Sequence, residues 1–413
     1  DEEEEEQEGT KGEEKEEDIE EIEAEPERHQ SVILRSNFWE QIRSSARRTS
    51  EKVKGLPNIN WGLVFVGVLI LLVVLGGVVR SYRANRGREI TEKLTEIELK
   101  LKEADILSDT NGQRSLEIVA EVRPELDNLK DVNNEKIGEL NNLLITVEEA
   151  ANGLVRVETK EMLDGGLLRE GTIFEVLVKG GKNILALDKQ NSRMIRLDTD
   201  KEKWEVVMGS EELNGVKAMA EYSGNIYLLG SFGVKVCSEI SWKCNVDISN
   251  TDISFGATAL GVWGGNVYIL DGQEGKVWKY TKSGSGYTKK TSWMEADSLA
   301  MGADNIVIDG RIWVGFLNGG IGKYNQGVKE SFGITGLSQP VGTNSRILTS
   351  DEEIKLYVLD SKNGRIVVLG KDGMFLKQYV NDKIKEATGI VVYEDKARIY
   401  LSIGSKIMMV ETP

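Results

Sequence analysis

One short apolar motif recurs six times in the C-terminal part of the chain, at Ile184–Asp188, Ile226–Gly230, Val267–Asp271, Ile312–Phe316, Leu356–Asp360 and Ile399–Ile403. Successive copies start 42, 41, 45, 44 and 43 residues apart. From Gly171 onward the apolar residues alternate and are punctuated by Gly, Asn and Asp, the pattern of short strands and tight hairpins. The 44 glycines against 5 prolines agree with many tight turns. A repeat of this period with room for four strands per copy specifies a six-bladed β-propeller.

Each copy divides into strands. In the third, Ala257–Val262 reads as the inner strand, Val267–Leu270 the second, Lys276–Tyr280 the third and Tyr287–Trp293 the outer. The turn after the second strand is Asp271–Gly275, and it recurs at Asp188–Ser192 and Asp360–Gly364. An Asp caps its own turn, and a Gly or Asn takes a positive φ there at little cost. A calcium role for these aspartates is the competing reading. The sixth copy stops at Pro413 after three strands, so Gly153–Thr159 is expected to supply its outer strand and close the ring. Closure removes the open sheet edges.

Trp61–Val79 carries no charge, and the uncharged stretch reaches back to Leu56. About 20 apolar residues span a bilayer as a helix. Trp61 and Tyr82 stand at its two ends, where interfacial aromatics belong. The run is too long and too far into the chain for a cleaved signal peptide. Basic residues flank it: Arg43, Arg47, Arg48, Lys52 and Lys54 before it, with Arg80 and Arg83 opening the set behind it. Membrane lipid is therefore an expected partner. The basic stretch reads either as an amphipathic helix on anionic lipid or as an ordinary juxtamembrane cluster. Each side carries five positive charges, so charge alone does not orient the helix.

The formal charge is −16, but Asp1–Glu27 holds 17 acidic residues against Lys11 and Lys15. That leader is expected to be disordered, as a lure for a basic partner or as a solvating spacer. The rest is nearly neutral, which argues against nucleic acid as a partner. The chain opens within a run of glutamates, as the tail of a longer cytosolic chain would. Behind the apolar run, Ile90, Leu94, Ile97, Leu101 and Ala104 form a heptad seam. With a helix over Gln113–Lys130, kinked or divided at Pro124, and a third from about Asn133, this predicts a small helical stalk. The expected domains are 1–30 acidic linker, 31–57 basic juxtamembrane segment, 58–80 transmembrane helix, 81–151 stalk and 152–413 propeller.

His29 is the only histidine and Cys237 and Cys244 the only cysteines. A histidine metal site, a zinc cluster and a Ser–His–Asp triad are thereby argued against. No catalytic, cofactor-binding or metal-binding residue is assigned, no cofactor is expected, and the chain is expected not to be an enzyme. Cys237 and Cys244 flank one hairpin and are expected to form a cross-strand disulfide if their Cα atoms lie about 4.4–6.8 Å apart, or else to be two ordinary buried strand cysteines. A disulfide would place the propeller outside the cytosol and the acidic end inside. The tryptophans Trp204, Trp242, Trp263, Trp278, Trp293 and Trp313 are spread over the copies, either as glycan or peptide contacts or as packing between blades.

Leu356–Leu369 resembles an NHL- or TolB-type propeller repeat. The order of acidic linker, membrane helix, helical stalk and propeller is also similar to that of bacterial membrane proteins carrying a PPM-type serine/threonine phosphatase domain upstream. The aspartate-rich metal motifs of that phosphatase do not occur here. The resemblance implies a binding, scaffold or sensor module for a protein, peptide or glycan, or the sensory half of such a phosphatase.

Overall fold

The computed structural model describes residues 61–296 and 299–413, with no account of the Trp61 side chain. The acidic leader, the basic juxtamembrane segment and with them Arg43, Arg47, Arg48, Lys52 and Lys54 lie outside the described residues. The first described element is one unbroken helix, α1 (Trp61–Ser108). No turn separates the apolar run from the stalk, because Gly76, Gly77 and Gly87 cost helix stability without interrupting it. Among the described residues this helix is long and apolar enough to cross a membrane. Among the described residues, its aliphatic side chains from Leu63 to Val79 are exposed.

The stalk comprises the end of α1 from Ile90 together with α2 (Gly112–Asp127) and α3 (Glu135–Ala151). Leu94, Ile97, Leu101 and Ala104 are buried against Ile118, Val119, Val122 and Leu126 of α2 and Ile137, Leu140, Leu144 and Val147 of α3. The heptad seam is thus packed within the chain. Side-chain oxygens of Asn111 and Asn134 cap α2 and α3 by accepting from Arg114 N–H and Lys136 N–H. Pro124 does not divide α2; the helix continues through it and ends one turn later.

Six sheets follow, one per repeat. Blade 1 is Phe174–Gly180, Asn183–Asp188, Arg193–Asp198 and Lys203–Met208, from inner to outer strand. Blade 2 runs Val216–Tyr222, Asn225–Gly230, Gly233–Ser238 and Cys244–Ser249. The recurring motif is the second strand of each blade, buried on both faces by the neighbouring blades, as Ile184, Leu185, Ala186 and Leu187 show. Blade 3 departs from expectation at its rim. Its outer strand is only Thr291–Ser292, and Lys282–Ser283 pairs with Gly286–Tyr287 in a separate small hairpin. Gly284, at φ 59°, makes that extra turn accessible.

Closure takes a different form from the one expected. The segment Leu154–Arg156 pairs in parallel with Phe375–Val380, the outer strand of blade 5, and makes that blade five-stranded. The next segment, Thr159–Asp164, pairs antiparallel with Lys406–Glu411 and is the outer strand of blade 6. The expected strand Gly153–Thr159 is therefore assigned one blade too late. Leu163, buried between Phe174, Ile184, Ile407 and Met409, supplies the anchor that decides it. The chain entering from the stalk clasps two blades in succession.

Candidate functional site

The inner strand of each blade borders the central channel, and five of the six share one irregularity. The ladder with the second strand slips by one residue between Phe174 and Val176, Val216 and Ala218, Ala257 and Ala259, Ala303 and Asn305, and Ala387 and Gly389. Two residues there oppose one, which defines a β-bulge and re-aims the extra side chain. The bulged residues are Glu175, Lys217, Thr258, Asp304 and Thr388. In blade 5 the paired strand begins at Arg346, which meets Leu359 as Val176 meets Leu187, so Ser345 holds the matching position. Phe174, Val216, Ala303 and Ala387 just before the bulges are buried, whereas Glu175, Lys217, Thr258 and Thr388 are exposed. Four of the six matching positions thus carry exposed polar side chains at one end of the inner strands, while Asp304 is half-buried and Ser345 buried.

The ring offers mixed chemistry. Glu175 pairs with Lys189 at 2.9 Å. Thr388 Oγ1 lies 3.1 Å from Ser402 Oγ and donates to the Phe174 carbonyl of the next blade. Asp304 Oδ2 accepts from Arg346 at 3.1 Å, while its buried Oδ1 has no protein partner. Burial raises the Asp304 carboxyl above the ordinary range, and Arg346 offsets part of this. The loops that lead into the inner strands surround this mouth, and they expose apolar side chains: Leu167, Met301 and Phe255, the last 97% exposed.

The opposite mouth is strapped. Lys179, at the end of the first inner strand, reaches Glu352 at 2.8 Å and Glu353 at 2.7 Å, both in the blade 5 hairpin, and lies 5.0 Å from the centre of the Tyr393 ring of blade 6. Ile354 N–H and Tyr357 Oη both donate to Glu394, holding the hairpin over blade 6. Burial raises Glu221, and the neighbouring charges of Glu239 and Glu352 raise it further. Glu239 is likewise raised by burial. A Cβ on Gly180 would sit 2.5 Å from Glu239 Oε1, so glycine there makes room for this carboxylate.

The three turn aspartates bond within their own turns, and Asp271 and Asp360 also accept from Ser254 and Gly342 of the loop that enters the blade. Asp188 accepts from Asn191 and Arg193, Asp271 from the backbone of Gln273 and Glu274, and Asp360 from Asn363, Arg365 and Gly342 N–H. Ser192, Gly275 and Gly364 take positive φ at the matching place. Turn capping therefore accounts for these residues, and among the described residues there is no acidic or cysteine-rich group able to hold a metal ion. Cys237 and Cys244 face each other across the third and outer strands of blade 2 and are joined as a disulfide. Their Cα atoms are 4.0 Å apart, closer than the expected window. Arg80, Tyr82 and Arg83 follow the apolar run on α1 with exposed side chains. Trp313 is fully buried and donates to Asp309 at 2.9 Å, Trp293 packs edge-on to Tyr268, and Trp278 lies under Lys276 and Lys290. These tryptophans pack within and between blades and do not gather at a mouth.

Two groups of residues escape a reading of the sequence. The bulges leave the alternation nearly intact and have no compositional mark. Arg193 and Arg365 do have one, since each follows a turn aspartate by five residues and bonds to it.

No protein-family model matches the chain, and no curated protein matches it in sequence. Solved structures do. A gluconolactonase from Xanthomonas campestris is similar with 12% identity and a TM-score of 0.46, over 62% of this chain and 90% of that one. A streptogramin B lyase matches with 12% identity and a TM-score of 0.44, over 62% and 97%. A calcium-binding regucalcin from Agrobacterium tumefaciens matches with 10% identity and a TM-score of 0.43, over 63% and 97%. The expectation that this chain is not an enzyme is corrected here: solved propellers similar to it include a gluconolactonase and a streptogramin B lyase, and a fold does not by itself fix function.

Proposed function

We propose that this chain is a single-pass membrane protein whose propeller binds a protein, peptide or glycan at its bulged mouth, as a scaffold or sensor. The observation that carries the reading is the repeated bulge. The same register slip in five blades sets Glu175, Lys217, Thr258, Asp304 and Thr388 around one opening. Bulges are over-represented at sheet edges, at the rims of barrels and next to active sites, where they re-aim a side chain. The uncovered aliphatic surface of α1 supports membrane lipid as a second partner. The Cys237–Cys244 bond supports an extracytoplasmic propeller and a cytoplasmic N-terminus. The near-neutral charge outside the leader supports no role for nucleic acid.

The full chain in lipid nanodiscs, screened against peptide and glycan arrays, tests this. Lys217→Glu combined with Thr388→Arg is expected to abolish whatever binding the wild type shows, while Lys203→Glu on the outer strand of blade 1 preserves it. Equal binding by all three overturns the assignment of the mouth.

We propose as a second reading one that rests on the order of acidic segment, apolar run, helical stalk and propeller, which resembles that of membrane proteins with a phosphatase domain upstream. In it the chain is the sensory half of a membrane serine/threonine phosphatase whose catalytic domain precedes Asp1. Its test is the coding sequence upstream of Asp1, where a phosphatase domain supports it and an immediate start codon overturns it.

A further inference from the structure

A buried chain of hydrogen bonds runs from the stalk into a loop on the far side of blade 5. Asn152 caps the end of α3, and its carbonyl accepts from Gln378 Nε2 at 3.0 Å. The carbonyl of Gly153 accepts from Gln378 N–H at 2.7 Å. Gln378 Oε1 in turn accepts from Arg365 Nη1 at 2.9 Å. The same guanidinium donates through Nη2 to the carbonyls of Gln339 at 2.7 Å and Pro340 at 2.9 Å, and through Nε to Asp360 at 2.8 Å. Asp360 completes the circuit by accepting from Gly342 N–H at 3.2 Å. Gln378, Arg365 and Asp360 are 5%, 2% and 0% exposed.

The loop held at Gln339, Pro340 and Gly342 joins blade 4 to blade 5. With Ile321, Phe332, Ile334 and Leu337, its Pro340 and Val341 line an apolar groove of about 520 Å³. A second strand of contact runs from the same helix end, because Ser338 Oγ donates to Asn152 Oδ1 at 2.9 Å. Blade 1 shows what the device looks like without a relay. Its Arg193 bonds to Asp188 and to Gly165 and Thr172 of its own entry loop, and goes no further. Among the described residues, only in blade 5 does the clamp extend through a glutamine to the helices.

We infer that the stalk and the Phe332–Gly342 loop are coupled through Arg365 and Gln378, so that displacement of the loop is felt at the end of α3. The physical reason is the burial of the guanidinium. In a low-dielectric site each of its donors needs an acceptor, and withdrawing the Pro340 carbonyl re-aims Arg365 and with it Gln378. A shared, continuous hydrogen-bond network of this kind is a physical route for coupling between the two sites. The inference does not depend on ligand binding at the bulged mouth.

Amide hydrogen exchange on the full chain in detergent tests it. Pro340→Gly loosens the loop without touching the relay's side chains. It is expected to speed exchange at Asn152 and Gly153 by about fivefold or more, the lower end of measured couplings between sites. The amides of Leu228 and Leu229 in blade 2 serve as the reference and are expected not to change. Gln378→Glu keeps an acceptor for Arg365 but removes the donor to Asn152. Added to Pro340→Gly together with Ser338→Ala, which removes the parallel contact, it is expected to abolish the effect at Asn152 and Gly153 while the loop amides stay fast. Acceleration confined to the loop in Pro340→Gly, or equal acceleration at the helix end with Gln378→Glu and Ser338→Ala present, overturns the inference. Should Gln378→Glu fail to fold, Ser338→Ala with Pro340→Gly reads the parallel contact, and the helix-end effect must persist through Gln378.

Discussion

Replacing Leu163 by Ala probes how the ring is closed. Leu163 is 4% exposed and lies in the strand that completes blade 6. Its neighbours come from two blades, Phe174, Ile184 and Ile195 on one side and Tyr400, Ile407 and Met409 on the other. Each set is held by its own ladder, so the walls cannot collapse far into the space left behind. Leu→Ala changes in cores cost about 2–5 kcal/mol, more where collapse is restricted. A cost of about 3 kcal/mol lowers the midpoint by about 6–12 °C for a domain of this size. The assay is thermal unfolding of the full chain in detergent, followed by near-ultraviolet circular dichroism. In a closed ring the signals of Trp204, Trp242, Trp293 and Trp313, which lie in or border four different blades, move together. Leu154→Ala in the first clasp strand, where the residue is only half-buried, serves as comparison and costs less. A Leu163→Ala protein that melts like the wild type, or loses only blade 6, refutes closure by this strand.

Three further outcomes follow from the geometry. Thiol labelling of intact cells is expected to find neither Cys237 nor Cys244 before reduction and both after it; two reactive thiols without reductant contradict the extracytoplasmic placement. Burial raises Glu239, so the folded state takes up its proton before the unfolded chain does, and stability rises as the pH falls from neutral toward the ordinary carboxylate range. Glu239→Gln is therefore expected to raise the midpoint at pH 7 and flatten this pH dependence; a lower midpoint at pH 7 counts against it. Leu71→Arg, in the middle of the apolar run, costs about 2.5–3.5 kcal/mol of insertion and is expected to make the protein extractable by alkaline carbonate, whereas unaltered membrane retention argues against the span.

Much of the fold is legible in the sequence because its strongest signals are periodic. The recurrence of Ile184–Asp188 and its five relatives marks the buried second strands, and the heptad from Ile90 to Ala104 marks the stalk seam. What escapes depends on partners rather than on local pattern. Leu154–Thr159 alternates as well as Thr159–Asp164 does, and only the pocket that receives Leu163 decides which of them closes blade 6. Parallel addition of Leu154–Arg156 to blade 5 has no local signature at all. The basic residue Arg80 marks where lipid would end, and says nothing about where a helix ends, so α1 runs on to Ser108. The mouth is less legible still, since a bulge inserts one residue into an alternation that tolerates it. Asp188 with Arg193 and Asp360 with Arg365 stand at one spacing, and that repeat is a readable sign of the clamps.

The central claim is that the bulged mouth is the binding face. Photo-crosslinking in native membranes tests it most directly, with a photoreactive residue placed in turn at Lys217, Thr388 and, on the outer strand of blade 1, Lys203. The account predicts a discrete crosslinked product from Lys217 and Thr388 and none from Lys203. Crosslinking from Lys203 alone, or none from either mouth position, contradicts it.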